Sequence, residues 1–73
     1  MPLKPLPFCE VRRRLLDAGF VEVSQEGSHV KFVRTTRAGT CTPIVPRHRE
    51  VRMGTLRSIL RQAGFTLDEW EAL

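Results

Sequence analysis

The run from Ser28 to Thr35 constrains the fold of this chain more than any other stretch. In an extended backbone Val30 and Phe32 fall on one side, and His29, Lys31 and Val33 fall on the other. A strand with this alternation belongs to an antiparallel sheet that is packed on one face and open on the other. If helices cover the Val30/Phe32 face, His29 and Lys31 share the open one. The neighbouring residues supply the rest of such a sheet. Phe20 to Gln25 reads as a strand with Val21 and Val23 on one face, and Glu26-Gly27 reads as a turn. Thr36-Arg37-Ala38-Gly39 reads as a hairpin turn in which Gly39 takes a positive φ. Thr40 to Val45 is a third strand, placed at a sheet edge because Pro43 has no N–H to donate.

Helical patterns lie on both sides of these strands. Residues 1–7 carry Pro2, Pro5 and Pro7 and form an extended lead-in, with Pro7 at or just before a first helical turn. Phe8, Val11, Leu15 and Ala18 then make an apolar helix stripe, stopped by Gly19. Pro46 to Arg52 reads as a basic loop. A second helix starts near Gly54-Thr55, with Leu56, Ile59, Leu60 and Ala63 as its apolar stripe and Gly64 as its end. Thr66-Leu67-Asp68-Glu69 is a capping box that opens a short third helix carrying Trp70 and Leu73. The order α-β-β-β-α, with a small terminal helix, predicts a two-layer α+β domain spanning residues 1–73: a three-stranded antiparallel sheet with both long helices on one face. Phe20, Phe32, Phe65 and Trp70 are the expected aromatic core.

A chain of 73 residues has little room for a deep enclosed pocket, so its chemistry belongs on an open face that suits a large partner. Charge points the same way. Twelve Lys and Arg face eight Asp and Glu, and Asp68, Glu69 and Glu71 all lie in the last eight residues. Residues 1–65 therefore carry twelve basic groups against five acidic ones, mostly as arginine, whose planar fork suits phosphate. Cys9 and Cys41 have no zinc-site spacing and read as inert thiols. No signal-peptide pattern opens the sequence and no run is long enough to span a membrane, which makes a cytoplasmic protein the expectation.

Three motifs then stand in order: Gly27-Ser28-His29 before the alternating strand, Val45-Pro46-Arg47-His48 after the third strand, and Gly54-Thr55-Leu56-Arg57-Ser58-Ile59-Leu60-Arg61-Gln62-Ala63-Gly64. Together, from about Val11 to Trp70, they resemble the HicA toxin family. The resemblance implies a fold similar to a double-stranded-RNA-binding domain. It also implies an mRNA-cleaving toxin, a HicB-type antitoxin that covers the active surface, and a catalytic histidine at His29.

Histidine suits such chemistry because it exchanges a proton near neutral pH. RNA is cut when the ribose 2′-hydroxyl loses a proton and attacks the adjacent phosphorus, while an acid protonates the leaving 5′-oxygen. A nearby cation stabilises the charge that grows on the phosphate. His29 is the candidate proton-transfer group, with Lys31 or a loop arginine as the cation and Gly27 and Ser28 supporting the turn. No carboxylate cluster suited to Mg²⁺ is visible, so the expected route uses neither metal nor cofactor. Read from the residues alone, His29 is equally a strand histidine that only bonds its neighbour. His48 is either a second acid/base or a loop residue touching phosphate. Ser28 is a turn hydroxyl rather than a nucleophile. Arg47, Arg57 and Arg61 are candidate phosphate contacts, whereas Arg12, Arg13 and Arg14 cannot all point one way. Three functions fit these features: a ribonuclease toxin, a module that binds duplex RNA without cutting it, and a subunit whose basic face docks an acidic antitoxin.

Overall fold

The alternating run lies in the middle of the sheet. In the computed structural model, which describes residues 3–73, it forms β2 (His29–Thr36), with Val30 and Phe32 buried and His29 and Lys31 exposed. β1 (Val21–Glu26) pairs with one edge of β2. β3 (Gly39–Cys41) and β4 (Ile44–Pro46) pair with the other edge, and all the pairings are antiparallel. The expected third strand over Thr40–Val45 is thus divided in two, so the sheet counts four strands. Its register does not slip: Arg34 faces Cys41, and Lys31 faces Ile44. Between them Phe32 donates its N–H to the Pro43 carbonyl at 3.0 Å. Pro43 has no N–H for the return bond, and the ladder loses a rung there.

Two helices cover the Val30/Phe32 face. α1 (Phe8–Asp17) presents Val11 and Leu15, and α2 (Met53–Ala63) presents Leu56, Ile59, Leu60 and Ala63. These join Val30, Phe32 and Val45 in one buried cluster. Both helices stop in the same way. Gly19 and Gly64 take positive φ of 95° and 79°. The next residue, Phe20 or Phe65, then donates its N–H back to Leu15 or Leu60 at 3.0 and 2.9 Å. This is the Schellman ending, repeated over Ala18-Gly19-Phe20 and Ala63-Gly64-Phe65. It brings the two phenyl rings edge to face at 5.8 Å. Arg34, from β2, caps the pair: its guanidinium lies 4.8 Å from the Phe20 ring and 5.4 Å from the Phe65 ring, and it donates to the Ala18 carbonyl.

The short α3 (Leu67–Glu71) opens with the expected capping box. Thr66 Oγ1 accepts from the Glu69 N–H, and Glu69 Oε1 accepts from the Thr66 N–H. α3 carries Trp70, fully buried, against Phe65 at 6.0 Å and beneath the Arg14 guanidinium at 5.2 Å.

The segments that lead into α1 and α2 are tied to each other by residues that the sequence pattern hid. Of the extended lead-in, residues 1 and 2 lie outside the described residues. Leu6 forms a bridge with Val51, with N–H···O bonds in both directions, and Val51 is fully buried inside what reads as a basic loop.

The three arginines of α1 are committed to carboxylates rather than to an open basic face. Arg12 pairs with Glu22, Arg13 with Glu10 and Asp17, and Arg14 with Glu10 and Glu71. Hydrogen bonds from Arg13 and then Arg14 hold the Glu10 carboxyl at about 2, against its ordinary 4.5. A carboxyl depressed in the folded state stabilises it above the unfolded value and stops doing so as pH falls through the folded one. Glu10→Gln should therefore melt below the wild type at neutral pH. The gap should close as pH drops from 4.5 towards 2. Melting curves of the two proteins across that range are the check, and a gap that persisted at the acid end would exclude Glu10 as its source.

Candidate active site

The site begins at the turn between β1 and β2. Glu26 pairs with His29 across Gly27-Ser28. Gly27 has φ 60° and Ser28 does not have a positive φ, so the first central position of the turn has positive φ and the second does not. That is the pattern of a type II′ hairpin turn, which favours glycine first. A Cβ at Gly27 would meet nothing within 4 Å, so its role is conformational rather than steric. The turn is braced from outside by the Arg47 N–H, which donates to the Ser28 carbonyl at 2.6 Å.

Register then decides what His29 meets. On the open face of the sheet His29 stands between Glu26 of β1 and Pro46 of β4, and Lys31 stands between Ser24 and Ile44. Ser24 reaches that position because a bulge follows Glu22, which faces Phe32; one residue later the partners are Ser24 and Lys31. Ser24, Glu26, His29, Lys31 and Ile44 line one shallow groove of about 260 Å³. His29 and Lys31 are two residues apart on one strand, so their Cα atoms are roughly 7 Å apart along it. Among the described residues, neither they nor Glu26 form a salt bridge or a side-chain hydrogen bond. One acid, one imidazole and one amine thus face solvent together, uncommitted to any other group.

The other predicted site residues lie outside this groove. The Arg47 side chain turns to the helix side, over the Phe8 ring at 5.3 Å and donating to Gln25 Oε1 at 3.0 Å. His48 is exposed, and its backbone carbonyl accepts from the Phe8 N–H at the start of α1. Arg57 lies beside Leu3, Met53, Leu60 and Leu67. Arg61 reaches back to Ser58 along its own helix. α2 contributes to the site indirectly: Gln62 Oε1 accepts the Ile44 N–H at 3.1 Å, closing the sheet edge next to the groove. Glu26 and Ser24 join the site without having been expected there. A two-residue turn at Gly27-Ser28, rather than Glu26-Gly27, was the signal that would have set Glu26 opposite His29.

A comparison with protein families bears on this arrangement. The family model for the HicA toxin of bacterial toxin–antitoxin systems matches residues 8–65, from the first residue of α1 to the phenylalanine after α2. The chain belongs to the HicA toxin family. The match takes in the His29 groove, both long helices and all four strands, and stops short of α3. No curated protein matches the chain. HicA proteins are the toxins of toxin–antitoxin systems, so this chain has a toxin's role and an antitoxin for a partner. Among the described residues, no helix is long and apolar enough to cross a membrane.

Proposed function

We propose that this HicA protein is an endoribonuclease that cuts mRNA in the cytoplasm without a metal, with His29 as a proton-transfer group and Lys31 as the cation beside the phosphate. A HicB-type antitoxin silences it by covering the His29 face of the sheet. The observation that carries this reading is the placing of His29 and Lys31 in one solvent-open groove, on the sheet face opposite the buried Val30 and Phe32. A flat, open site accepts a polymer, and an imidazole beside an amine supplies what phosphodiester transfer needs: a proton carrier and a charge for the phosphorane oxygens. Arg47, His48, Arg57 and Arg61 then serve phosphates of the strand further from the cut.

Attack by the 2′-hydroxyl makes the substrate's own sugar the nucleophile. Purified protein should therefore cut an RNA oligonucleotide, and should leave intact the same RNA carrying one 2′-deoxynucleotide on the 5′ side of the cut. Cleavage of the deoxy-substituted strand at that position would overturn the mechanism. Binding of the same RNA annealed to its complement, with no cleavage of either oligonucleotide, would make the protein a duplex-RNA-binding module.

A further inference from the structure

We infer that Glu26 is the second proton-transfer group of the site, acting as the base while His29 acts as the acid. The inference rests on the ribonuclease reading above. It arises from the hairpin register, which sets Glu26 directly across from His29 and beside Lys31 in the same groove. Side chains opposed on neighbouring strands have Cβ atoms about 4.5–5.5 Å apart, close enough for both to reach one ribose-phosphate unit.

The remaining acidic groups make the choice specific. Glu10, Asp17, Glu22 and Glu71 are paired with arginines, Glu69 caps α3, and Glu50 and Asp68 do not line the groove. Glu26 has no such engagement and is the one carboxylate that lines the groove. His48, the alternative second group, is not among the groove residues. The charged groups that face Glu26 there are His29 and Lys31, both from β2.

A carboxylate is an ordinary proton acceptor at neutral pH, and an imidazole carries a proton part of the time. In the forward step Glu26 takes the 2′-hydroxyl proton as the 2′-oxygen bonds to phosphorus. The bond from phosphorus to the 5′-oxygen breaks, and protonated His29 gives its proton to that oxygen. The products are a 2′,3′-cyclic phosphate and a free 5′-hydroxyl, with no other reactant consumed. Lys31 stays charged throughout, beside the non-bridging oxygens.

The test compares cleavage of a short RNA by the wild type, Glu26→Gln, Glu26→Asp and His29→Ala over a range of pH. Glu26→Gln keeps the size and polarity of the side chain. It should cut roughly 10²–10⁴-fold more slowly than the wild type, with unchanged melting and with RNA binding no weaker, since a carboxylate beside phosphate is removed. Its rate should no longer fall on the acid side, while the fall on the alkaline side, which belongs to His29, remains. Glu26→Asp keeps a carboxylate one methylene further back and should recover part of the rate and the acid-side fall. A Glu26→Gln protein that cuts as fast as the wild type overturns the assignment. So does one that cuts slowly with both sides of the profile intact, which would mark Glu26 as a merely structural residue. If the wild type cuts and His29→Ala does not, either of those results removes Glu26 alone. A wild type that cuts no RNA removes the ribonuclease reading and Glu26 with it.

Discussion

His29→Ala should abolish RNA cleavage while leaving the fold and RNA binding nearly intact. His29 is exposed and, among the described residues, makes no side-chain hydrogen bond, so alanine there opens no cavity and strands no buried partner. Surface changes of this kind usually move stability by less than about 0.5 kcal/mol. The loss in rate is of a different order. Removing a positioned acid or base costs roughly 10²–10⁴-fold, or about 3–5 kcal/mol of barrier. The measurement is growth after induced expression, wild type beside His29→Ala, with total RNA resolved on a gel. Growth arrest and mRNA loss with the wild type alone match the proposal. Equal arrest from both proteins would move the chemistry to another residue, or make toxicity a matter of binding. Harmlessness of a soluble, folded wild type would leave a docking or RNA-binding module.

The largest expected effect on stability lies at the other end of the chain, at Trp70→Ala. Trp70 is fully buried and makes the contact between α3 and the Phe20–Phe65 pair. Arg14 holds it from above: the guanidinium stacks on the indole, donates to the Trp70 carbonyl, and bridges Glu10 to Glu71. Truncating a buried Trp to alanine costs about 3–5 kcal/mol. A chain of this length has only about 4–11 kcal/mol in total. The melting midpoint should therefore fall by at least roughly 12 °C, and much of the protein should be unfolded at growth temperature. Circular dichroism is the probe, because Trp70 is the only tryptophan in the chain. Trp70→Phe should do far less damage, since the indole N–H it deletes is buried without a hydrogen-bond partner. A midpoint for Trp70→Ala within a few degrees of the wild type would mean that α3 contributes little to the core.

Periodicity and pairing convey different things in this chain. α1, α2, the central strand and the capping box were legible because each depends on residues close in sequence: an apolar spacing, a glycine stop, or a Thr three positions before a Glu. The alternation of β2 fixed the face of His29 and Lys31 for the same reason. What could not be read locally was who stands across from whom. Glu26 became a site residue through the hairpin register. Arg47, just past the end of β4, turns to the helix side, over the Phe8 ring. Val51 was hidden among Arg47, Arg49 and Arg52, and only its bridge to Leu6 shows it to be core. Arg57 and Arg61 share a helix face as expected, but that face does not border the groove.

His29 and Lys31 sit on the one strand that is hydrogen-bonded along both edges. Backbone amides in such a strand open to solvent only when most of the domain opens with them, whereas turns and edges fray on their own. On the proposed reading, the face that carries His29 and Lys31 is therefore as stiff as the protein itself, and its groups come already arranged for a strand of RNA. Such a surface is far easier to block than to bend. An antitoxin that silences the proposed site would have to occupy the groove, and once it left, the face would need no refolding step to become competent again.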